Sequence, residues 1–140
     1  MIYLGLDLGS KTLGVSISDR TGIIATSLEV IRYSNYEELF NKLEKIVISR
    51  NVDFFVLGNP KNLDGSLSKR SEITLEFKTL LEERFKKEVF LQDERLSTVE
   101  AERMLISNDT KRKNRKQVID KIAATIILQG YLDRRNNERN

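Results

Sequence analysis

The stretch Ile2-Tyr3-Leu4-Gly5-Leu6-Asp7-Leu8, followed by Gly9-Ser10-Lys11-Thr12 and then Leu13-Gly14-Val15-Ser16-Ile17-Ser18, decides the fold. Its first seven residues are an almost unbroken apolar run, the pattern of a central strand covered on both faces. The next four form a turn. Leu13, Val15 and Ile17 then alternate with small or polar residues, as a second strand does. Asp19-Arg20-Thr21-Gly22 turns the chain again into a third strand over about 23–31. Three sequential strands joined by short turns predict an antiparallel meander.

The texture changes beyond residue 33. Ser34-x-x-Glu37 has capping-box form, and Leu39, Phe40, Leu43, Ile46 and Val47 follow at helical spacing. Phe54-Phe55-Val56-Leu57 reads as a short strand, closed by the loop Gly58-Asn59-Pro60-Lys61-Asn62-Leu63-Asp64-Gly65. A helix is expected over about 69–87, with Ile73, Phe77, Leu80, Leu81 and Phe85 on its buried side. Val89-Phe90-Leu91 is the fifth strand and ends at Gln92-Asp93-Glu94. Ser97-x-x-Glu100 opens another capped helix, and the basic run 111–116 leads into a final one to about 133, with a flexible tail beyond. Repeats, low-complexity tracts and linker-like stretches are absent, so residues 1–140 read as one domain. The order predicts an α/β chain whose five-stranded mixed sheet is flanked by helices, which supply the crossovers that parallel strands need.

Composition narrows the chemistry. With 39% hydrophobic and 32% charged residues, the chain is globular rather than disordered. No apolar stretch reaches the roughly 20 residues that span a bilayer, and no secretory signal precedes the first strand. There is no cysteine, hence no disulfide and no thiolate metal site. These features suit a cytoplasmic protein. Histidine is absent too, which excludes Ser-His-Asp triads, Cys-His pairs and histidine zinc sites together. Carboxylates, metals, lysine or hydroxyls remain as catalytic groups. The net charge of +3 is unevenly spread: residues 111–140 carry +6 and residues 1–110 carry −3. Clustered Lys and Arg of that kind suit a polyanionic partner.

Three carboxylates stand in unusual places. Asp7 interrupts an apolar strand, where an isolated carboxylate is costly unless paired, neutral or bound to a cation. Asp120 falls at the edge of the apolar stripe Ile119, Ile122, Ala123, Ile126 and Ile127, and the small Ala123 and Ala124 let that helix approach the sheet. Asp93-Glu94 closes the fifth strand, and only one of two neighbouring strand residues faces Asp7. Each has an ordinary reading: Asp7 as a turn or cap residue, Asp120 as partner of Lys116 or Lys121, Glu94 as partner of Arg95 or a nearby lysine. Their convergence on the carboxyl ends of the strands is what favours a site. Grouped carboxylates repel one another and favour Mg²⁺ or Mn²⁺, hard cations that take oxygen ligands.

Gly5-Leu6-Asp7-Leu8-Gly9-Ser10-Lys11 with Gly14-Val15 and Ser18-Asp19, Gly58-x-Pro60-x-Asn62-x-Asp64-Gly65, Asp93-Glu94-Arg95-Leu96-Ser97-Thr98, and Val118-Ile119-Asp120-Lys121-x-Ala123-Ala124 with Ile127-Leu128-Gln129-x-Tyr131-Leu132 together resemble the YqgF (RuvX) family of RNase H-like proteins. They cover nearly the whole chain in the family's order. The resemblance implies an RNase H-like fold and a nuclease maturing the 5′ end of precursor 16S ribosomal RNA, with Holliday-junction resolution as the alternative. It also implies that Asp7, Glu94 and Asp120 are the catalytic acids. Asn59 departs from the apolar residue usual there, and Ser66-Leu67-Ser68 from a more glycine-rich or acidic continuation.

The mechanism expected is phosphodiester hydrolysis with one or two Mg²⁺ or Mn²⁺ held by Asp7, Glu94 and Asp120, with Asp93 a candidate fourth ligand. Candidate substrate contacts are Lys11, Asn62, Arg95 and the cluster Lys111, Arg112, Lys113, Arg115 and Lys116; Asn62 and Asp64 also suit ordinary turn chemistry. The expected partner is structured RNA, as pre-16S rRNA or a pre-ribosome, or else branched DNA. A membrane is not expected, and the chain is expected to be a monomer or weak dimer. Two rivals remain. A nucleotide-binding module of actin-like type shares Asp7-x-Gly9-Ser10-Lys11, yet needs a second lobe that 140 residues do not hold. A non-catalytic rRNA-binding assembly factor would keep the fold without the reaction.

Overall fold

The computed structural model describes residues 1–60, 68–93 and 112–139, excluding the side chains of 112–121 and 139. Its elements are β1 (Tyr3–Leu8), β2 (Thr12–Ser18), β3 (Ala25–Arg32), α1 (Tyr36–Arg50), β4 (Phe54–Asn59), α2 (Lys69–Phe85), β5 (Val89–Asp93) and α3 (Arg112–Arg139). The five strands form one sheet in the order β3-β2-β1-β4-β5. β1 pairs antiparallel with β2 and β2 antiparallel with β3, while β1 with β4 and β4 with β5 are parallel. The meander and the two helical crossovers expected from the sequence are therefore present. The helix expected from Ser97 lies outside the described residues.

β1 is covered on both faces, as its apolar run requires. Leu4, Leu6 and Leu8 join Leu39, Leu43, Phe77 and Leu81 in the core beneath α1 and α2. Tyr3 belongs to the opposite layer with Val56, Ile127, Leu128, Tyr131 and Leu132, beneath α3. Gly5 lies where α3 packs closely on the sheet. A Cβ there would run into Ser16 Oγ and stand 2.7 Å from Leu128 Cβ and 2.9 Å from the Ala124 carbonyl. The helix is held down at this point by Ser16 Oγ, which donates to the Ala124 carbonyl at 2.7 Å. Further along, the Gln129 amide accepts from Ala25 N at 2.8 Å and donates to the Ile23 carbonyl at 2.8 Å, and Asn136 donates to the Gly22 carbonyl. These anchors onto the β2–β3 turn explain why α3 continues to Arg139 rather than ending near 133.

The β2–β3 turn is organised by Asp19, whose carboxylate accepts from Thr21 Oγ1 and from the Ile23 and Ile24 amides at 2.9 and 3.0 Å. The Thr21 hydroxyl first, then the Ile24 and Ile23 amides, hold its carboxyl well below the usual carboxylate range. Folded-state depression of this sign stabilises the turn above the ordinary carboxylate pKa, and the contribution is lost only as pH falls through the lowered value. β3, at one edge of the sheet, is half exposed, and its register with β2 shifts between Val15 and Ser16.

The helix boundaries follow local chemistry. The cap of α1 is Asn35, one residue later than the Ser34 box suggested: its side chain accepts from Glu38 N at 2.8 Å while the Glu38 carboxylate reaches back to Ser34 N. In α2 the buried face is Ser71, Thr74, Phe77 and Leu81, whereas Ile73 and Leu80 are 50% and 38% exposed, against expectation. Ser71 and Thr74 tolerate the core because their hydroxyls are satisfied by the Pro60 and Arg70 carbonyls, each at 2.8 Å. The Gly58-Asn59 pair expected in a loop instead completes β4. α2 ends on Lys86 in the left-handed conformation, φ 56°, its amide bonded to the Glu82 carbonyl. A non-glycine residue is strained there, so Lys86→Gly is expected to raise stability by about 1 kcal/mol in denaturant melts; an unchanged or lower midpoint contradicts the strain.

Candidate active site at the carboxyl end of the sheet

β1, β4 and β5 run parallel, so Leu8, Asn59 and Asp93 end at one rim of the sheet. Asp7 stands one residue inside that rim. Strand alternation places it on the α3 face with Tyr3 and Gly5, and it is half-buried. Its partner on β2 is Gly14. On β4 the ladder Leu6↔Leu57 leads to Gly58, which pairs with Gln92 of β5. Asp7 is thus flanked by two buried glycines, and no side chain from β2 or β4 intervenes beside it. Gln92 lies in the same row on the same face as Phe90, and its Oε1 is buried without a hydrogen-bond partner among the described residues.

The path of α3 connects with Asp7 by register. Tyr131 packs against Tyr3, ring centroids 5.8 Å apart, and Ala124 and Leu128 sit over Gly5. Two strand residues advance about 6.6 Å, close to the rise of four helical residues, about 6 Å. The step from Gly5 to Asp7 therefore corresponds to the step along the helix from Ala124 back to Asp120. Asp120 is helical in α3; its side chain is outside the described part of the structure. Glu94, Asn62, Arg95 and Lys111 also lie outside the described residues. Asp93 closes β5 opposite Asn59, and alternation from Val89 and Leu91 assigns it to the α2 face, away from Asp7. Among the described residues no three acidic side chains converge.

Lys11 is exposed in a turn fixed from three sides: Gly9 N donates to the Thr12 carbonyl at 2.8 Å, Tyr33 N to the Lys11 carbonyl at 3.0 Å, and the Tyr33 hydroxyl to the Gly9 carbonyl at 2.5 Å. Burial, and then the neighbouring Tyr36, raise the Tyr33 pKa, which keeps that hydroxyl a donor. Arg112, Lys113, Arg115 and Lys116 occupy the opening turns of α3, which hold no acidic residue in the first turn. Cations at a helix N-terminus oppose the macrodipole, so this placement does not serve the helix itself.

Two features escaped the sequence. Arg70, in the first turn of α2, donates from Nη2 to the Leu8 carbonyl at 3.0 Å and so reaches the end of β1. Asn59 is 5% exposed, with an Oδ1 lacking a partner among the described residues. Nothing in residue spacing links position 70 with position 8; only the crossover does. Among the described residues no helix is long and apolar enough to cross a membrane.

A family model described as RuvX: Holliday junction resolvase matches residues 1–134. A protein of Bacillus licheniformis named "Putative pre-16S rRNA nuclease" is 50% identical over 139 residues, covering 98% of this chain and all of the relative. A protein of the same name from Levilactobacillus brevis is 48% identical over 137 residues, 96% of this chain and 94% of its own length. Among solved structures, Thermus thermophilus RuvC in complex with a Holliday junction substrate aligns with a TM-score of 0.56 at 13% identity, covering 96% of this chain and 95% of that one. The fowlpox virus Holliday junction resolvase aligns at 0.54 and 15% identity, with 95% and 98% covered. The fold is thus shared with these RNase H-like resolvases.

Proposed function

The chain belongs to the RuvX family, and from that membership we propose that it is a divalent-metal-dependent endonuclease that trims the 5′ end of precursor 16S ribosomal RNA in the cytoplasm. The observation that carries the reading is the place of Asp7: half-buried at the carboxyl rim, between Gly14 and Gly58, in register with the turn of α3 that holds Asp120. Glu94 is assigned to the site by sequence alone, as the acid that follows Asp93.

The donors suit Mg²⁺ or Mn²⁺. They are hard oxygens in a chain without histidine or cysteine, and the orphaned Gln92 Oε1 adds a buried oxygen to the same row. In this reading Asp7, Glu94 and Asp120 hold the cation, which when bound supplies Lewis-acid activation of the attacking water and of the leaving oxygen. Asp7 contributes fixed geometry, because its strand is paired on both sides. The glycines beside it leave room for the backbone of a nucleic acid. Lys11, on its pinned turn, meets a phosphate, and Arg112, Lys113, Arg115 and Lys116 draw the polyanion toward the start of α3. Asn62, Arg95 and Lys111 remain assigned to substrate contact by sequence alone.

The test is cleavage of a labelled RNA spanning the 5′ junction of precursor 16S, with Mg²⁺, Mn²⁺ or EDTA, and a four-way DNA junction as competitor. Metal-dependent cutting of the RNA in preference to the junction is expected. Preference for the junction would transfer the assignment to resolution, which the family description favours. RNA binding without cutting in either metal would leave an assembly factor.

A further inference from the structure

We infer that Arg70 is a phosphate-binding residue of the site, gripping the nucleic-acid backbone beside Asp7 from the α2 side of the sheet. The inference rests on the nuclease reading above and extends it to a residue on the opposite layer from α3.

The start of α2 is fastened to the rim. Ser68 and Ser71 both donate through Oγ to the Pro60 carbonyl at 2.8 Å, just past the end of β4, and Ser68 Oγ accepts from Ser71 N at 3.1 Å. Arg70 lies between these two serines, so its backbone is fixed where β1 and β4 end. Its Nη2 then spans to the Leu8 carbonyl, the residue after Asp7. One of five guanidinium donors is used this way. The residue is exposed, and none of the three ion pairs among the described residues includes it. Satisfying one carbonyl takes a single donor, and ordering so long a side chain for that alone costs entropy. A guanidinium held at one corner, with its other donors unengaged among the described residues, is instead prepared for the two-point grip that phosphate accepts.

Position reinforces this. Lys11 and Arg70 stand at the two ends of one short segment, Leu8 to Lys11, that the Tyr33 hydroxyl and amide hold still. A polyanion whose scissile phosphate reaches Asp7 passes between them. α3 lies on the other layer, so Arg70 brings positive charge to this strand end from the α2 side.

The test compares Arg70→Gln and Arg70→Lys, both built on Asp7→Asn so that binding is scored without turnover. Glutamine keeps a donor for the Leu8 carbonyl and loses the charge; lysine keeps the charge and loses the fork. The probe is a fluorescein-labelled RNA hairpin with a single-stranded overhang, titrated at several salt concentrations, with a thermal melt of each protein. Arg70→Gln is expected to weaken binding about ten-fold and to flatten the dependence of log affinity on log salt by about 0.7 to 0.9, its melting temperature unmoved. Arg70→Lys is expected to keep the slope and part of the affinity. Equal slopes in all three proteins, or a loss of affinity matched by a fall in melting temperature, would overturn the assignment and leave Arg70 a clasp on β1. An Asp7-intact protein that binds this RNA but never cuts would instead sink the nuclease reading, and the slope comparison would still stand.

Discussion

Replacing Asp7 by asparagine is expected to lower the cleavage rate a thousand-fold or more while RNA affinity stays near the wild-type value. The substitution keeps shape and one carbonyl oxygen, so β1 and its ladders to Gly14 and Leu57 have no reason to shift. What it removes, on the proposed reading, is the charge that would hold a divalent cation, and such a cation lowers a phosphoryl-transfer barrier by several kcal/mol, each 1.36 kcal/mol being about ten-fold in rate. A second readout separates this from damage to the fold. In EDTA the variant is expected to melt close to the wild-type temperature, because side-chain shape and both ladders of β1 are kept. In Mg²⁺ the wild type is expected to gain stability by binding, and the variant to gain less. Cleavage that survives the substitution would remove Asp7 from the chemistry; a fall in melting temperature in EDTA would mark it as a structural residue.

Gly5→Ala is expected to destabilise the protein by about 3 kcal/mol, roughly 10 °C in melting temperature for a chain of this size. Alanine suits a strand at least as well as glycine, so backbone preference alone predicts a small gain. The loss arises because the new methyl meets Ser16 Oγ, Leu128 Cβ and the Ala124 carbonyl inside normal contact distance. Two of these are rigid parts of α3, so either the helix lifts or the strand bows, and the Ser16–Ala124 hydrogen bond is strained in both cases. On the proposed reading, lifting α3 here also moves the turn that holds Asp120 away from Asp7. Cleavage measured well below both melting temperatures is therefore expected to fall further than the folded fraction does. A melting temperature within 2 °C or so of the wild type would show that the layer yields easily, and the close approach would then carry no weight for the site.

How far the fold was legible follows from which interactions set each element. β1, β2 and their turn were plain because a doubly covered strand needs apolar residues at nearly every position, and the run 2–8 has them. α2 was placed correctly along the chain but turned on its axis. Ile73 and Leu80 look like core until Ser71 and Thr74 find backbone carbonyls that no pattern reveals. Gly58 and Asn59 read as loop because glycine and asparagine favour turns, whereas the parallel partners Gln92 and Asp93 draw them into the ladder. At the site, Asp7 stood out as a charge in an apolar strand. Arg70 did not, since an arginine at a helix start is ordinary and its partner lies 62 residues away.

The order in which the chain is made has a consequence for when this site exists. Ser16 and Ala124 are 108 residues apart, yet their hydrogen bond closes the layer over Gly5, two residues from Asp7. During synthesis the strands and α1 emerge first and can pair locally, while Tyr3 and Val56 keep an uncovered apolar face until residues 124–132 leave the ribosome. The nascent chain therefore carries half a site and a sticky sheet surface for most of its synthesis, and the closing step is a long-range search rather than a local one. Folding is expected to be limited by docking of α3, and cleaving power to arrive late and all at once.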